Sequence, residues 1–394
     1  MRLTLLSNTA APYRVPQWNA LGELCDFHVV VLRKQASMRN WKIDQDDIRV
    51  PVLSVENRQL ILKRMELRLN LSYWSAARLV AQTNPDVVVI GGWDSPAYWA
   101  VLGWARRNRV PAVLWCETNG LSSRTAGRWT IDRLRRYFVS NCKAFYVPSE
   151  FTVRYLENLG ANRENIVLGR NSCDVAKFPS CERIGGGGPV LLFVGQLIER
   201  KGVRQMMRAL DLLDNIPWRL RIAGEGPLEA AVREWAAGLK RSGKVEFLGY
   251  VQQAEMSRVF RGADVLLFPS ILDPYPLVIV EALFNGLYII GSDRCAVSHD
   301  MLQPGVTGDI ISPDDSEQFA SAVRAALGRV PFDRRRIRAS VEDVTPEREA
   351  ANLLRAAHIA SGRLDSNGDM SVKQSYRLVR NNPDRQGRKP VAPE

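Results

Sequence analysis

The stretch FPSILDPYPLVIVEALFNG (residues 268–286) decides the fold. An apolar run closing on Pro269-Ser270 reads as a buried strand. The proline-bearing loop after it leads into an apolar helix from Pro276. Asp273 falls in the loop and Glu281 in the helix. The helix's unpaired N–H groups, around Leu277 and Val278, suit a diphosphate, and a carboxylate such as Glu281 can accept both hydroxyls of a ribose. The plainer alternative, a helix start with Asp273 as its cap, stays open on spacing alone.

Strand–loop–helix units recur on both sides of this one. Downstream of GGGG (185–188), a flexible punctuation mark, the runs 189–195, 218–224, 244–249, 264–270 and 287–292 read as strands. Helical patterns fit 202–214, 227–241, 253–261, 276–285 and 315–328. Upstream, 3–7, 27–32, 86–92, 111–117 and 144–149 read as buried parallel strands. Helical patterns there fit 15–24, 59–82, 97–108, 127–141 and 150–159. Such alternation predicts an α/β protein of two Rossmann-like, doubly wound domains facing a cleft, each with its site at the carboxyl ends of its strands. The expected parts are a first domain over 1–180, a second over 185–345, a helix over 346–362 crossing back to the first, and a polar, disordered tail over 363–394.

Composition bounds the rest. The 394 residues suffice for two ordinary domains. The charge is +12 overall, but residues 1–180 hold 25 basic and 15 acidic side chains, whereas 181–360 hold 22 and 23. A basic first half beside a neutral second half points to an anionic partner for the first. No run reaches the roughly 18 apolar residues of a spanning helix, and MRLTLLSN is too short an apolar start for a signal peptide. The six cysteines form no C-x-x-C pair, which points to a reducing cytoplasm and no structural metal. Asp44 and Asp46 have D-x-D spacing but lie in a polar stretch. No G-x-G-x-x-G follows the first strand, against a dehydrogenase, and no nucleic-acid module is present.

The order of motifs resembles the retaining GT-B glycosyltransferases of family 4, the "glycosyl transferases group 1" domain. Its strand, P-S, E-x7-E and closing Gly are matched by Pro269-Ser270, Asp273, Tyr275-Pro276-Leu277-Val278, Glu281-Ala282 and Gly286. FVGQLIERKG (193–202) resembles V-G-R-L-x-x-x-K-G, and RIAGEGP (221–227) resembles I-x-G-x-G-P. FLGYV (247–251) and PGVTGDIISPDD (304–315) follow in order, and VLGRNSCDVAKF (167–178) resembles the hinge P-N-G-V-D-x-x-x-F. The resemblance implies a nucleotide-diphosphate sugar as donor and no metal or other cofactor. Lys201, the Gly195 turn and the amides at Leu277 and Val278 would face the diphosphate, with Glu281 on the ribose, Asp273 on the sugar and the backbone at Gly249 and Tyr250 around the base. Three departures stand out. The first Glu is Asp273, and the diphosphate Arg is Gln196, with Arg200 beside Lys201 as a stand-in. The sugar-facing His of many members maps onto Glu117 in LWCETNG (114–120). That carboxylate either serves sugar or acceptor or is a strand-end Glu paired to an Arg.

In the first domain, SNTAAPYRVPQWNAL (7–21) replaces the family's Gly-Gly loop. It offers Asn8, and Arg14 either as a phosphate clamp or as a surface Arg at the helix entrance. GGWDSPAYW (91–99) offers Trp93, over a sugar or in the core, and Asp94. Two stretches, 57–74 and 127–138, read as basic amphipathic helices, suited to an anionic membrane surface or simply to the sheet. His299 is assigned no catalysis, and Arg334–Arg336 reads as a solvated helix face. The expectation is a cytoplasmic transferase, peripheral to the inner face of the membrane, moving a hexose with retention to a glycan or polyprenyl-diphosphate-linked acceptor. The rival is a non-catalytic GT-B subunit that binds a nucleotide sugar or a partner transferase.

Overall fold

A computed structural model describes residues 1–33, 45–55, 59–62, 67–70, 73–121, 129–213, 216–239 and 243–363. The expected tail lies outside these residues beyond Arg363, as does Asp44.

The first sheet holds β1 (Arg2–Thr9), β2 (Asp26–Arg33) and β3 (Val52–Ser54). Next in the chain is an antiparallel hairpin of β4 (Gln59–Leu62) and β5 (Leu67–Asn70), which stands apart. The sheet resumes with β6 (Val87–Ile90), β7 (Ala112–Trp115), β8 (Ala144–Val147) and β9 (Ile166–Leu168). Its order is β3-β2-β1-β6-β7-β8-β9, with every pair parallel. The helices are α1 (Val15–Leu24), α2 (Tyr73–Gln82), α3 (Pro96–Arg107), α4 (Trp129–Ser140) and α5 (Glu150–Asn158).

The second sheet holds β10 (Val190–Val194), β11 (Trp218–Ala223), β12 (Gly243–Gly249), β13 (Val265–Phe268), β14 (Tyr288–Ser292) and β15 (Gly308–Ile311). Its order is β12-β11-β10-β13-β14-β15, again all parallel. Around it lie α6 (Val203–Asp211), α7 (Glu229–Gly238), α8 (Gln253–Arg261), α9 (Leu277–Phe284), α10 (Ala296–Met301), α11 (Ser316–Leu327) and α12 (Arg334–Ala339).

The last helix, α13 (Pro346–Ala360), lies against α1, β8 and β9 of the first sheet. Thr345 caps it by accepting the Arg348 N–H, and Pro346 fits its first turn. Alternation along the strands divides the first sheet's core. Leu3, Leu5 and Val29 face α1 and α13, whereas Leu6, Val30 and Ile90 face α2 to α5. Strand order reverses between β1 and β6 and between β10 and β13, the places where parallel sheets open a crevice.

Three readings change. The helix expected over 59–82 starts only at Tyr73, because the strict alternation of LRLNL (67–71) favours a strand. Hence 57–74 is not one basic helix. Short β3, β9 and β15 and the helix α10 were not anticipated. Arg334 is not solvated with Arg335 and Arg336, because it donates to the Ala263 carbonyl at 2.6 Å.

Candidate active site

The second-domain site sits where β10 and β13 diverge. After β10 the chain turns at Gly195 and makes a single 3-10 turn, Glu199–Lys201, closed by Gly202 with φ +71°. A Cβ on Gly202 would stand 1.9 Å from the Pro269 carbonyl oxygen, so only glycine lets this turn lie against the end of β13. Gly224 does the same against the Gly195 carbonyl, again at 1.9 Å. The two loops are also clipped together. The Arg200 carbonyl accepts from the Ile271 N–H (2.9 Å) and the Leu272 N–H (3.2 Å), and the Arg200 guanidinium donates to the Leu272 carbonyl (3.3 Å). Arg200 thus holds the loop, while Gln196 follows Gly195, half-buried.

This clip brings Lys201 and Asp273 into a direct ion pair, their side chains only 15% and 13% exposed. Cys295 packs beneath, its thiol toward the Ser270 carbonyl. Pro276 precedes α9 and no side chain caps that helix, so its first amides, Leu277 and Val278, have no capping oxygen. Glu281 lies one turn further on. Burial pushes its carboxyl up to about 7, the Lys177 ammonium pulling the other way. Gly249 takes φ +65°, its carbonyl accepting the Gly224 N–H, and the Tyr250 N–H donates to Glu225 Oε1 at 3.0 Å. Sequence reasoning passed over Glu225, the variable residue of the quoted G-x-G run, whose side chain braces the turn after β12.

The first-domain side is built from side chains. Asn8 lies in β1 itself, exposed near its end. Arg14, at the entrance of α1, stacks over the Trp115 ring (4.3 Å) and donates through Nη2 to Glu117 Oε1 at 2.8 Å. The same oxygen accepts from Asn171 Nδ2 at 2.9 Å. Glu117 is therefore the strand-end Glu paired to an Arg, yet its side chain keeps 33% exposure. The Arg14 charge is compensated within the protein. Trp93 is turned into the helical layer, edge-on to Phe138 and Tyr155 under the Arg135 guanidinium, while Asp94 is exposed.

Among the described residues several contacts cross the cleft, including the Asp300 carboxylate of α10 accepting from Ser149 and from the Glu150 backbone at the start of α5. Asn119, after β7, donates to the Pro274 carbonyl at 3.4 Å, and Phe151 at the start of α5 lies against His299 of α10, ring centroids 5.1 Å apart. Asn119 follows two residues after Glu117 in the quoted LWCETNG, but nothing in that string announces a partner 155 residues away.

Against known families, "Glycosyl transferases group 1" matches residues 176–342 and "Glycosyl transferase 4-like domain" matches residues 10–171. The chain belongs to the group 1 glycosyltransferases. It is 30% identical over 198 residues to a glycogen synthase of Mycobacterium tuberculosis, covering 48% of this chain and 47% of that one. It is 32% identical over 179 residues to a phosphatidyl-myo-inositol mannosyltransferase of Mycolicibacterium smegmatis, covering 44% and 45%. The chain thus spans about half the length of the curated relatives it matches. Among solved structures, an apo lipopolysaccharide outer core galactosyltransferase superposes with a TM-score of 0.68 at 15% identity, covering 90% of this chain and 99% of that one. This is the GT-B fold, two parallel sheets with flanking helices. No described helix of this group 1 glycosyltransferase is long and apolar enough to cross a membrane.

Proposed function

We propose that this glycosyltransferase moves a hexose from a nucleotide-diphosphate sugar to a glycan or lipid-linked acceptor with retention of anomeric configuration. The observation that carries the donor half is the convergence of Lys201, Asp273 and the uncapped start of α9 at one strand crossover, with Glu281 one turn deeper. Cleaving the sugar–diphosphate bond leaves negative charge on the departing diphosphate. A buried ammonium and free helix amides stabilise that charge in place, without a metal. The diphosphate would take Lys201 from Asp273, freeing the Asp273 carboxylate for a sugar hydroxyl. Glu281 holds the ribose, and Gly249 and Tyr250 flank the base. Retention follows from front-face attack, the acceptor oxygen bonding the anomeric carbon as the departing phosphate takes its proton.

On the acceptor side, Glu117 serves through Oε2, its Oε1 being occupied by Arg14 and Asn171. Asn8 and Asp94 are exposed at the same strand ends. For the lipid-linked option, α4 supplies the surface. Trp129, Leu134 and Tyr137 are 72%, 55% and 50% exposed beside exposed Arg133 and Arg136. Apolar rings next to guanidinium groups suit an anionic bilayer at the cytoplasmic face.

A thermal-shift and donor-hydrolysis screen over UDP-, GDP- and dTDP-sugars in EDTA, repeated on Glu281→Ala, tests the reading. One donor should stabilise the wild type and not the variant, by about 2.7 kcal/mol at 100 times its dissociation constant, with slow sugar release. Stabilisation without turnover would favour a binding subunit, and no shift with any donor would overturn the site.

A further inference from the structure

The segment joining the domains does more than span them. Gly169 still pairs with the first sheet, its N–H donating to the Val147 carbonyl. Three consecutive residues then each enter a different part of the molecule. Asn171 donates to Glu117 Oε1 on the acceptor side (2.9 Å). Ser172 donates twice to Glu349 Oε2 on the crossing helix α13, from its N–H at 2.7 Å and its hydroxyl at 2.5 Å. Cys173 is buried in the second-domain core. Asn171, Ser172 and Glu349 are 6%, 3% and 5% exposed. The Asn171 carboxamide can take only one orientation, since the flipped one would set its oxygen against the Glu117 carboxylate.

Glu349 is a costly residue in such a place. A buried carboxylate is retained only against compensating donors, and here both come from Ser172, with the Arg14 guanidinium near enough to favour its charge. The helix that carries it is capped by Thr345 and packed along α1. Ser172 is thereby fixed to the first domain at the point where the chain leaves it, and Asn171, one residue before, is held where it can reach Glu117.

We propose that Asn171 is a positioning residue for Glu117, and that the Ser172–Glu349 contact fixes the hinge so that Asn171 and Arg14 together hold one carboxylate oxygen and leave the other aimed into the cleft. This rests on the reading of Glu117 as the acceptor-side carboxylate. It makes that carboxylate's aim depend on the strand joining the domains. A rotation of the second domain that breaks the Ser172–Glu349 contact is then felt at the acceptor side.

The test uses the full chain and two readouts. Hydrogen exchange follows the amide of Ser172 and those of residues 117–121. Nucleotide release is measured with UDP-glucose, GDP-mannose and ADP-glucose as donor probes, with water and with octyl α-mannoside as acceptor probes. Asn171→Ala should speed exchange at 117–121 about tenfold. With the mannoside it should lower kcat about tenfold, while the donor KM and the release to water stay near wild type. Glu349→Ala should do the same and also free the Ser172 amide. Glu349→Gln keeps an acceptor oxygen for Ser172 and should restore both. Ser172→Ala, losing one bond of two, is the mild variant should the others fold poorly, and should fall between. The proposal is overturned if exchange at 117–121 is unchanged in Asn171→Ala and Glu349→Ala, if Glu349→Gln behaves like Glu349→Ala, or if release to water falls as much as transfer. A wild type that no nucleotide sugar stabilises would sink the transferase reading instead, and the exchange results would still decide the hinge contact.

Discussion

The two walls of the cleft are made of different material. In the second domain the wall is largely backbone: the 3-10 turn before Gly202, the Gly224 and Gly249 crossings, and the open first turn of α9. In the first domain it is side chains paired to one another: Arg14 on Trp115 and Glu117, Glu117 on Asn171, and Trp93 drawn into the helical layer. On the proposed reading, a wall of amides and glycines would bind what every donor shares, a diphosphate and a ribose, and would tolerate few changes. A wall of paired side chains can be exchanged piece by piece to suit a new acceptor.

Lys201→Ala strikes the donor wall at its only side-chain cation in direct contact with Asp273 among the described ion pairs. Loss of a charge placed to stabilise the departing diphosphate should lower turnover by roughly 10² to 10³ fold. Arg14→Ala, on the other wall, should leave donor stabilisation in the thermal-shift assay untouched and lower only transfer to an added acceptor. Equal loss of donor binding in both variants would abolish the distinction between the walls.

Gly202→Ala probes the backbone itself. The left-handed φ of +71°, with the Pro269 carbonyl oxygen 1.9 Å from where the alanine methyl would stand, leaves no relaxed place for a side chain. Chemical denaturation should show a loss of more than about 1 kcal/mol, together with weaker donor binding as Lys201 shifts. A methyl at Gly120, three residues after Glu117, meets nothing within 4 Å, so Gly120→Ala should cost little there. Both glycines lie in loops at the cleft, and only Gly202 is sterically required.

How much of this was legible follows the same division. FPSILDPYPLVIVEALFNG and FVGQLIERKG mark the donor wall because backbone geometry demands glycine, proline and apolar runs at fixed spacing. The paired strands β4 and β5 were missed because their apolar residues also fit a helical stripe, and only LRLNL betrays the period of two. Glu349 could not be found from the sequence at all. It sits in an ordinary first turn, and its partner Ser172 is 177 residues away. Partners that distant leave no local pattern, which is why the Arg14–Glu117–Asn171 cluster remained a pair of alternatives until the fold brought its members together.

The raised Glu281 carboxyl gives the donor wall a pH signature. Bound to ribose hydroxyls it accepts best when charged, so nucleotide affinity should rise as pH increases through about 7, by around tenfold for a charge-assisted hydrogen bond. Folding stability runs the opposite way. With its folded pKa above the unfolded value, the contribution of Glu281 is fully present below about 4.5 and is lost as pH rises through about 7. Glu349, raised to about 7 by burial, adds to the same slope from the first-domain side of the hinge. Denaturation of Glu281→Gln and Glu349→Gln at pH 5 and pH 8 separates them. Each should flatten the stability slope, but only Glu281→Gln should flatten the pH dependence of nucleotide binding.

The smallest effect belongs to the outer face of the first domain. On α4, Arg135 turns inward to Asp132 and Tyr155, whereas Arg133 and Arg136 are exposed beside Trp129 and Leu134. If that face meets an anionic bilayer, each exposed arginine contributes about 1 kcal/mol near the surface. Arg133→Gln and Arg136→Gln should each weaken sedimentation with phosphatidylglycerol vesicles about fivefold, and added salt should weaken the wild type in the same sense. Arg135→Gln should instead lower stability with little change in vesicle affinity, since its guanidinium is spent on the core. Equal vesicle losses from all three would mean that the attraction reads net charge and not this helix face, and the first domain's basic excess would then need another partner.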